Sequence, residues 1–225
     1  MTAKPKKSLI RIFAKAVAGL TLGIVMAYGG FIATFYAGRG EHLTTSEAAM
    51  VTSIFGNEIN AGSIRKHFRD RADVTHVMPG KDGTVLPFIS HIDLFGPGVV
   101  SADYSRESPR LYGFFAHEAA HCWQNQSHTW TLKNLGVYPF SLTATSRFSD
   151  FGMEQQADII QSYAVRFLNP EGRREATAAT AESDAWLQRV VEDRFPRARE
   201  TRMALDAQDA AAQTHAAPAH PRRTS

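Results

Sequence analysis

Two histidines four residues apart constrain this chain more than any other feature in it. His117-Glu118-Ala119-Ala120-His121 sits in the run FFAHEAAHCWQNQ. On a helix both imidazoles leave one face, one turn apart, so both can reach a single ion. Glu118 lies beside that face and can hold a water at an open coordination position. Zinc in such a site lowers the pKa of its water towards neutrality, and a carboxylate takes the proton as the water attacks a carbonyl. The bland alternative is a solvated helix face with a Glu–His pair. Phe114 and Phe115 before the motif and Trp123 after it argue instead for a mostly buried helix, where polar side chains need partners.

A third ligand should exist, and its position selects the enzyme class. In the metzincin pattern a glycine and a third histidine would fall at Gln124 and Ser127; the glycine is absent and His128 misses by one residue. The gluzincin pattern places a glutamate on a following helix with an aspartate four residues on. Glu154-Gln155-Gln156-Ala157-Asp158 supplies both, on a helix read independently over about 151–168 and ended by Asn169-Pro170. Glu154 and Asp158 are about 40° apart around that helix. Glu154 can ligate the ion while Asp158 hydrogen-bonds the distal nitrogen of a ligand histidine. Two acids on a helix would by themselves be wet surface. Paired with HExxH in this order, they predict a site of His117, His121 and Glu154.

HEAAH followed by EQQAD resembles a gluzincin-type zinc metallopeptidase. A closer likeness is to HExxH peptidase-like, Vgr-related proteins found alongside type VI and related contractile injection systems. It covers about 43–168, including LTTSEAAMVTSIFG, FFAHEAAHCWQNQ and MEQQADIIQSYAVRF. The resemblance implies His117, His121 and Glu154 as zinc ligands, Glu118 as catalytic base, and a secretion-system partner. Cys122 points about 100° from its neighbouring ligand and reads as a packed residue. For an oxyanion-stabilising group, Tyr163 is on the wrong face; His128, Tyr138 and Tyr104 stay open. His91 and Asp93 read as polar loop residues that could instead line the cleft.

Ahead of this domain, 16–38 contains no charge and as a helix would be about 34 Å long, enough to cross a bilayer. Five basic residues precede it, from Lys4 to Lys15, against Arg39 immediately after. That bias predicts a cytoplasmic N-terminus at 1–15, a transmembrane helix or signal anchor at 16–38, and a periplasmic domain on the inner membrane. The alternative is a signal peptide cleaved near Ala27-Tyr28-Gly29, giving a secreted or periplasmic protein. Of the formal charge of +3, the basic N-terminus accounts for more than all. The part between is mildly acidic, which argues against a nucleic-acid surface.

The rest reads as one α+β domain over 40–206 with a disordered tail at 207–225. Thr44-Thr45-Ser46-Glu47 is a capping box opening a helix that stops at Gly56; 57–73 carries little signal. Strand-like runs follow at 74–78, 84–90 and 99–104, the first two joined by Pro79-Gly80-Lys81-Asp82-Gly83. They predict a small antiparallel sheet on a helical core. Ser108-Pro109 starts the motif helix, and a further amphipathic helix covers 181–194. The reading is a membrane-anchored, zinc-dependent metallopeptidase acting on peptide or protein substrates. The alternatives are a non-catalytic zinc-stabilised binding or assembly module, and a cell-wall amide hydrolase.

Overall fold

The computed structural model describes residues 40–69, 90–95, 101–127, 129, 139–174 and 181–216. The expected segments 1–15 and 16–38, the strand expected at 74–78 and most of that at 84–90 lie outside these residues.

Helix α1, Thr45–Phe55, starts where its cap dictates. Thr44 Oγ1 accepts from the Glu47 backbone N–H at 3.1 Å, and Glu47 Oε2 accepts from the Thr44 N–H at 2.8 Å, two orphan donors satisfied reciprocally. The helix ends at Gly56, whose φ of 58° a side chain rarely tolerates. Glu47 Oε1 faces inward. It accepts from Lys66 Nζ at 2.9 Å and from the Tyr104 backbone N–H at 3.0 Å, so one fully buried carboxylate holds together α1, a strand and the 101–104 loop.

The sheet is small and has three strands in the order β1 (Glu41–His42), β2 (Ile64–Arg69), β3 (Ser90–Phe95). β1 runs antiparallel to β2, with Glu41 opposite Lys66. β2 runs parallel to β3, from Ile64 opposite Ser90 to Arg69 opposite Phe95. The antiparallel sheet expected from sequence is therefore corrected to a mixed one. β2 forms in the charged run IRKHFR, where basic residues mask the alternation that signals a strand. Residues 101–103 are irregular and lead into a 3₁₀ turn at Tyr104–Arg106, so the described part of the strand expected at 99–104 is corrected to loop and turn.

Helix α2, Pro109–Gln126, carries the two histidines and has proline at its first turn, where the missing N–H costs nothing. Helix α3, Met153–Tyr163, runs into a π-helical turn at Ala164–Leu168; the break from regular winding falls inside the single helix expected over 151–168. α2 and α3 pack together. At Gly113 the approach is so close that an added Cβ would stand 2.5 Å from Val165 Cγ2. A short α4, Pro170–Arg174, follows; Asn169 Oδ1 accepts from the N–H groups of Glu171 and Gly172, both at 3.0 Å.

Helix α5, Ala181–Arg194, has the expected bounds, and α6 runs from Pro196 to Ala216. The tail expected to be disordered from 207 is corrected over 207–216, which continue α6. Arg173 reaches back to Asp206 and Asp209 on that helix at 3.1 and 2.5 Å. Phe195, between α5 and α6, sits edge-on to Phe55, Trp123 and Phe148, with centroids 5.0–5.2 Å away. This aromatic cluster joins α1, α2 and the segment before α3. Among the described residues no helix is long and apolar enough to cross a membrane; α6 is long but studded with charge. The single-pass inner-membrane placement is corrected on that ground: no described helix supports it.

Candidate metal centre

His117 and His121 leave α2 towards α3, where Glu154 stands in the first turn. Their Nε2 atoms are 3.1 Å apart. Glu154 Oε2 lies 3.5 Å from the Nε2 of His117 and 3.3 Å from that of His121. The three residues are 9, 4 and 6% exposed. Donors held tetrahedrally at about 2.0–2.1 Å from zinc stand about 3.3–3.4 Å from one another. The observed triangle brackets that spacing, and each of its three corners is an atom able to ligate a metal ion, an imidazole nitrogen or a carboxylate oxygen. The donor set therefore fits a divalent cation such as zinc.

Electrostatics point the same way. Burial alone would raise the Glu154 carboxyl, but hydrogen bonds from the two imidazoles hold it well below the usual carboxylate range. Burial would lower His117, yet the carboxylates of Asp158 and Glu154 outweigh it and raise the ring above its ordinary value. Asp158 Oδ1 is 2.9 Å from His117 Nδ1, one turn along α3 from Glu154. The aspartate thus stands behind the His117 ring, on the side away from Glu154 and His121.

Glu118 is partly exposed on the same helix, and its charge is near enough to favour the protonated form of His117. Tyr104 and Tyr163 are taken up by the core. Tyr104 Oη accepts from the Ser101 N–H at 3.1 Å, and burial pushes its phenol up to about 12. Tyr163 Oη lies 3.0 Å from Glu192 Oε1 and 3.1 Å from the Ala198 carbonyl, two acceptors that share its one proton. Cys122 is fully buried, as its angle on the helix predicts. His91 and Asp93 lie in β3, opposite Arg65 and His67, not in a loop; His128 and Tyr138 lie outside the described residues.

Sequence reasoning missed three amides. Gln124 Oε1 is 2.9 Å from His121 Nδ1. Gln124 Nε2 donates to the Met153 carbonyl at 3.0 Å and to Gln156 Oε1 at 3.1 Å. Gln155 Oε1 accepts from the Gly152 N–H and its Nε2 donates to the Pro139 carbonyl, securing the start of α3. The signal for Gln124 was its position, three residues past His121 and so on the ligand face.

No family model matches the chain. Over 180 residues, 73% of its length, it is 31% identical to the type VI secretion system spike protein VgrG2b of Pseudomonas aeruginosa, and it spans only 17% of that protein. It also matches the solved effector domain of Pseudomonas aeruginosa VgrG2b at 27% identity, covering 74% of this chain and 97% of that one, with a TM-score of 0.44. Through the first of these identities the chain is homologous to part of a type VI secretion system spike protein.

Proposed function

We propose that this protein is a zinc-dependent peptidase with a role linked to type VI secretion. The observation that carries the chemistry is the triangle of His117, His121 and Glu154 donor atoms, spaced 3.1–3.5 Å apart between α2 and α3. The secretion link rests on homology to part of a type VI secretion system spike protein. A secretion-system partner and a peptide or protein substrate belong to the same reading.

Zinc bound there would polarise a scissile carbonyl and bring the pKa of a coordinated water towards neutrality. The chain's own residues do the rest. Glu118 accepts the proton of the attacking water and returns it to the leaving amine. Asp158 and Gln124 hold the two ring ligands from behind. Glu154, ionised through the acid range, supplies the negative charge that makes the donor set complementary to a dication.

A second reading, a zinc clamp without activity, draws on the near-complete burial of all three donors between two helices. One pair of variants separates the two. His121→Ala should remove the metal and lower thermal stability under either reading. Glu118→Gln should keep zinc content and fold while peptide hydrolysis falls at least about a hundredfold, the lower end for general acid–base work. Wild-type protein that holds zinc yet cleaves nothing in a peptide library leaves the clamp.

A further inference from the structure

The amides behind His121 form a chain whose polarity is decided at its far end. Gln156 Nε2 lies 3.3 Å from the Phe148 carbonyl and 3.1 Å from the Phe151 carbonyl. Carbonyl oxygens only accept, so the NH₂ of Gln156 must face them and its Oε1 must face Gln124. Gln124 in turn lies 3.0 Å from the Met153 carbonyl and 3.1 Å from that Oε1. Its NH₂ therefore points to these two acceptors, and its own Oε1 is left facing His121 Nδ1 at 2.9 Å. An amide oxygen at that distance requires a proton on Nδ1. The lone pair of a neutral ring then sits on Nε2, the atom aimed at His117 and Glu154.

We propose that Gln124 and Gln156 are positioning residues forming an amide relay, which fixes the proton of His121 on Nδ1 and thereby sets the site's affinity for zinc. The affinity half rests on the zinc reading above; the proton half does not. Both glutamines are buried, Gln124 to 1% exposure, so water does not compete for these bonds. The relay also ties two ligands to each other. Met153 precedes Glu154 in the first turn of α3, and the amide that orients His121 on α2 grips that carbonyl. The partner of His117 is a carboxylate, whereas that of His121 is neutral and locked by backbone atoms before and at the start of α3.

The test has a readout independent of metal. Long-range ¹H–¹⁵N correlation on the metal-free full chain should show His121 protonated at Nδ1 and bare at Nε2 when neutral. Gln124→Met keeps volume and removes the acceptor; the His121 ring should then lose that preference while His117 keeps its own. Zinc affinity, measured by competition with a chelator, should fall about 10–100-fold, the usual consequence of losing a partner behind a ligand. Gln124→Glu restores the acceptor and should recover the Nδ1–H form, at a cost in stability because its second oxygen then faces the Met153 carbonyl and Gln156 Oε1. If the Met variant does not fold, the wild-type ring and the Glu variant still decide. His121 protonated on Nε2 in the wild type, or a folded Met variant within about threefold of wild-type affinity, overturns the relay. A wild type with the Nδ1–H ring that takes up no zinc overturns the affinity half together with the zinc reading, and leaves the proton assignment standing.

Discussion

Asp158 meets the Nδ1 of His117 at 2.9 Å and is partly exposed, at the edge of the cluster and not in the core. Asp158→Asn should weaken zinc about 10–100-fold in chelator competition without unfolding the protein, because the contact touches the ring and not the core. The titrations of the same cluster set a pH window in the metal-free protein. Glu154 is lowered from 4.5, so its contribution is complete above that value and is lost as pH falls through the folded value. His117 is raised from 6.5, so its contribution is complete below that value and is lost as pH rises through the folded one. Both are in force between about 4.5 and 6.5, the unperturbed values of the two groups. Thermal melts of metal-free wild type and Glu154→Gln across the acid and mildly alkaline range should differ most within that window. A difference that is flat with pH would show that the cluster does not couple to stability.

Elements here are held by polar side chains that bridge them as much as by apolar faces. Glu47 begins as a capping residue of α1 and ends as the acceptor for Lys66 on β2 and the backbone of Tyr104. Removing one partner of a buried pair strands the other charge, which typically costs about 3–5 kcal/mol. Lys66→Met should lower stability by that amount in denaturant titration, and the double variant Lys66→Met, Glu47→Gln should recover much of the loss. Thr44 and Glu47 make the capping box legible in four consecutive residues. Nothing near Lys66 in the sequence announces that it is buried.

At the scale of the molecule, α6 divides into a half that belongs to the core and a half that does not. Phe195 and Ala198 are buried, and Thr201 Oγ1 donates to the Ser53 carbonyl of α1 at 2.9 Å. Arg202 donates to Glu192 at 2.6 Å. Beyond Asp206 every residue up to Thr214 is exposed. Truncation after Asp206 should therefore shift the thermal midpoint little, within the roughly ±0.5 kcal/mol of ordinary surface changes. Truncation before Phe195 should abolish cooperative unfolding, because Phe55, Trp123 and Phe148 all lose their common neighbour. The first result checks that α6 past 206 is an appendage; the second, that the helical core closes only when α6 docks.

Spacing and capping within single helices were determined by the sequence alone. His117 and His121 share a face because four residues make about one turn, Glu154 and Asp158 do so for the same reason, and Thr44 with Glu47 starts α1 where it stands. These relations are local, so neighbouring residues carry them. The sheet and the relay were decided by tertiary structure. β2 pairs in parallel with β3 across a long connection, Lys66 meets Glu47 across 19 positions, and Gln124 meets Gln156 across 32. Whether a glutamine or lysine faces water or lies buried depends on acceptors that arrive from distant chain, and no periodicity near it records their arrival.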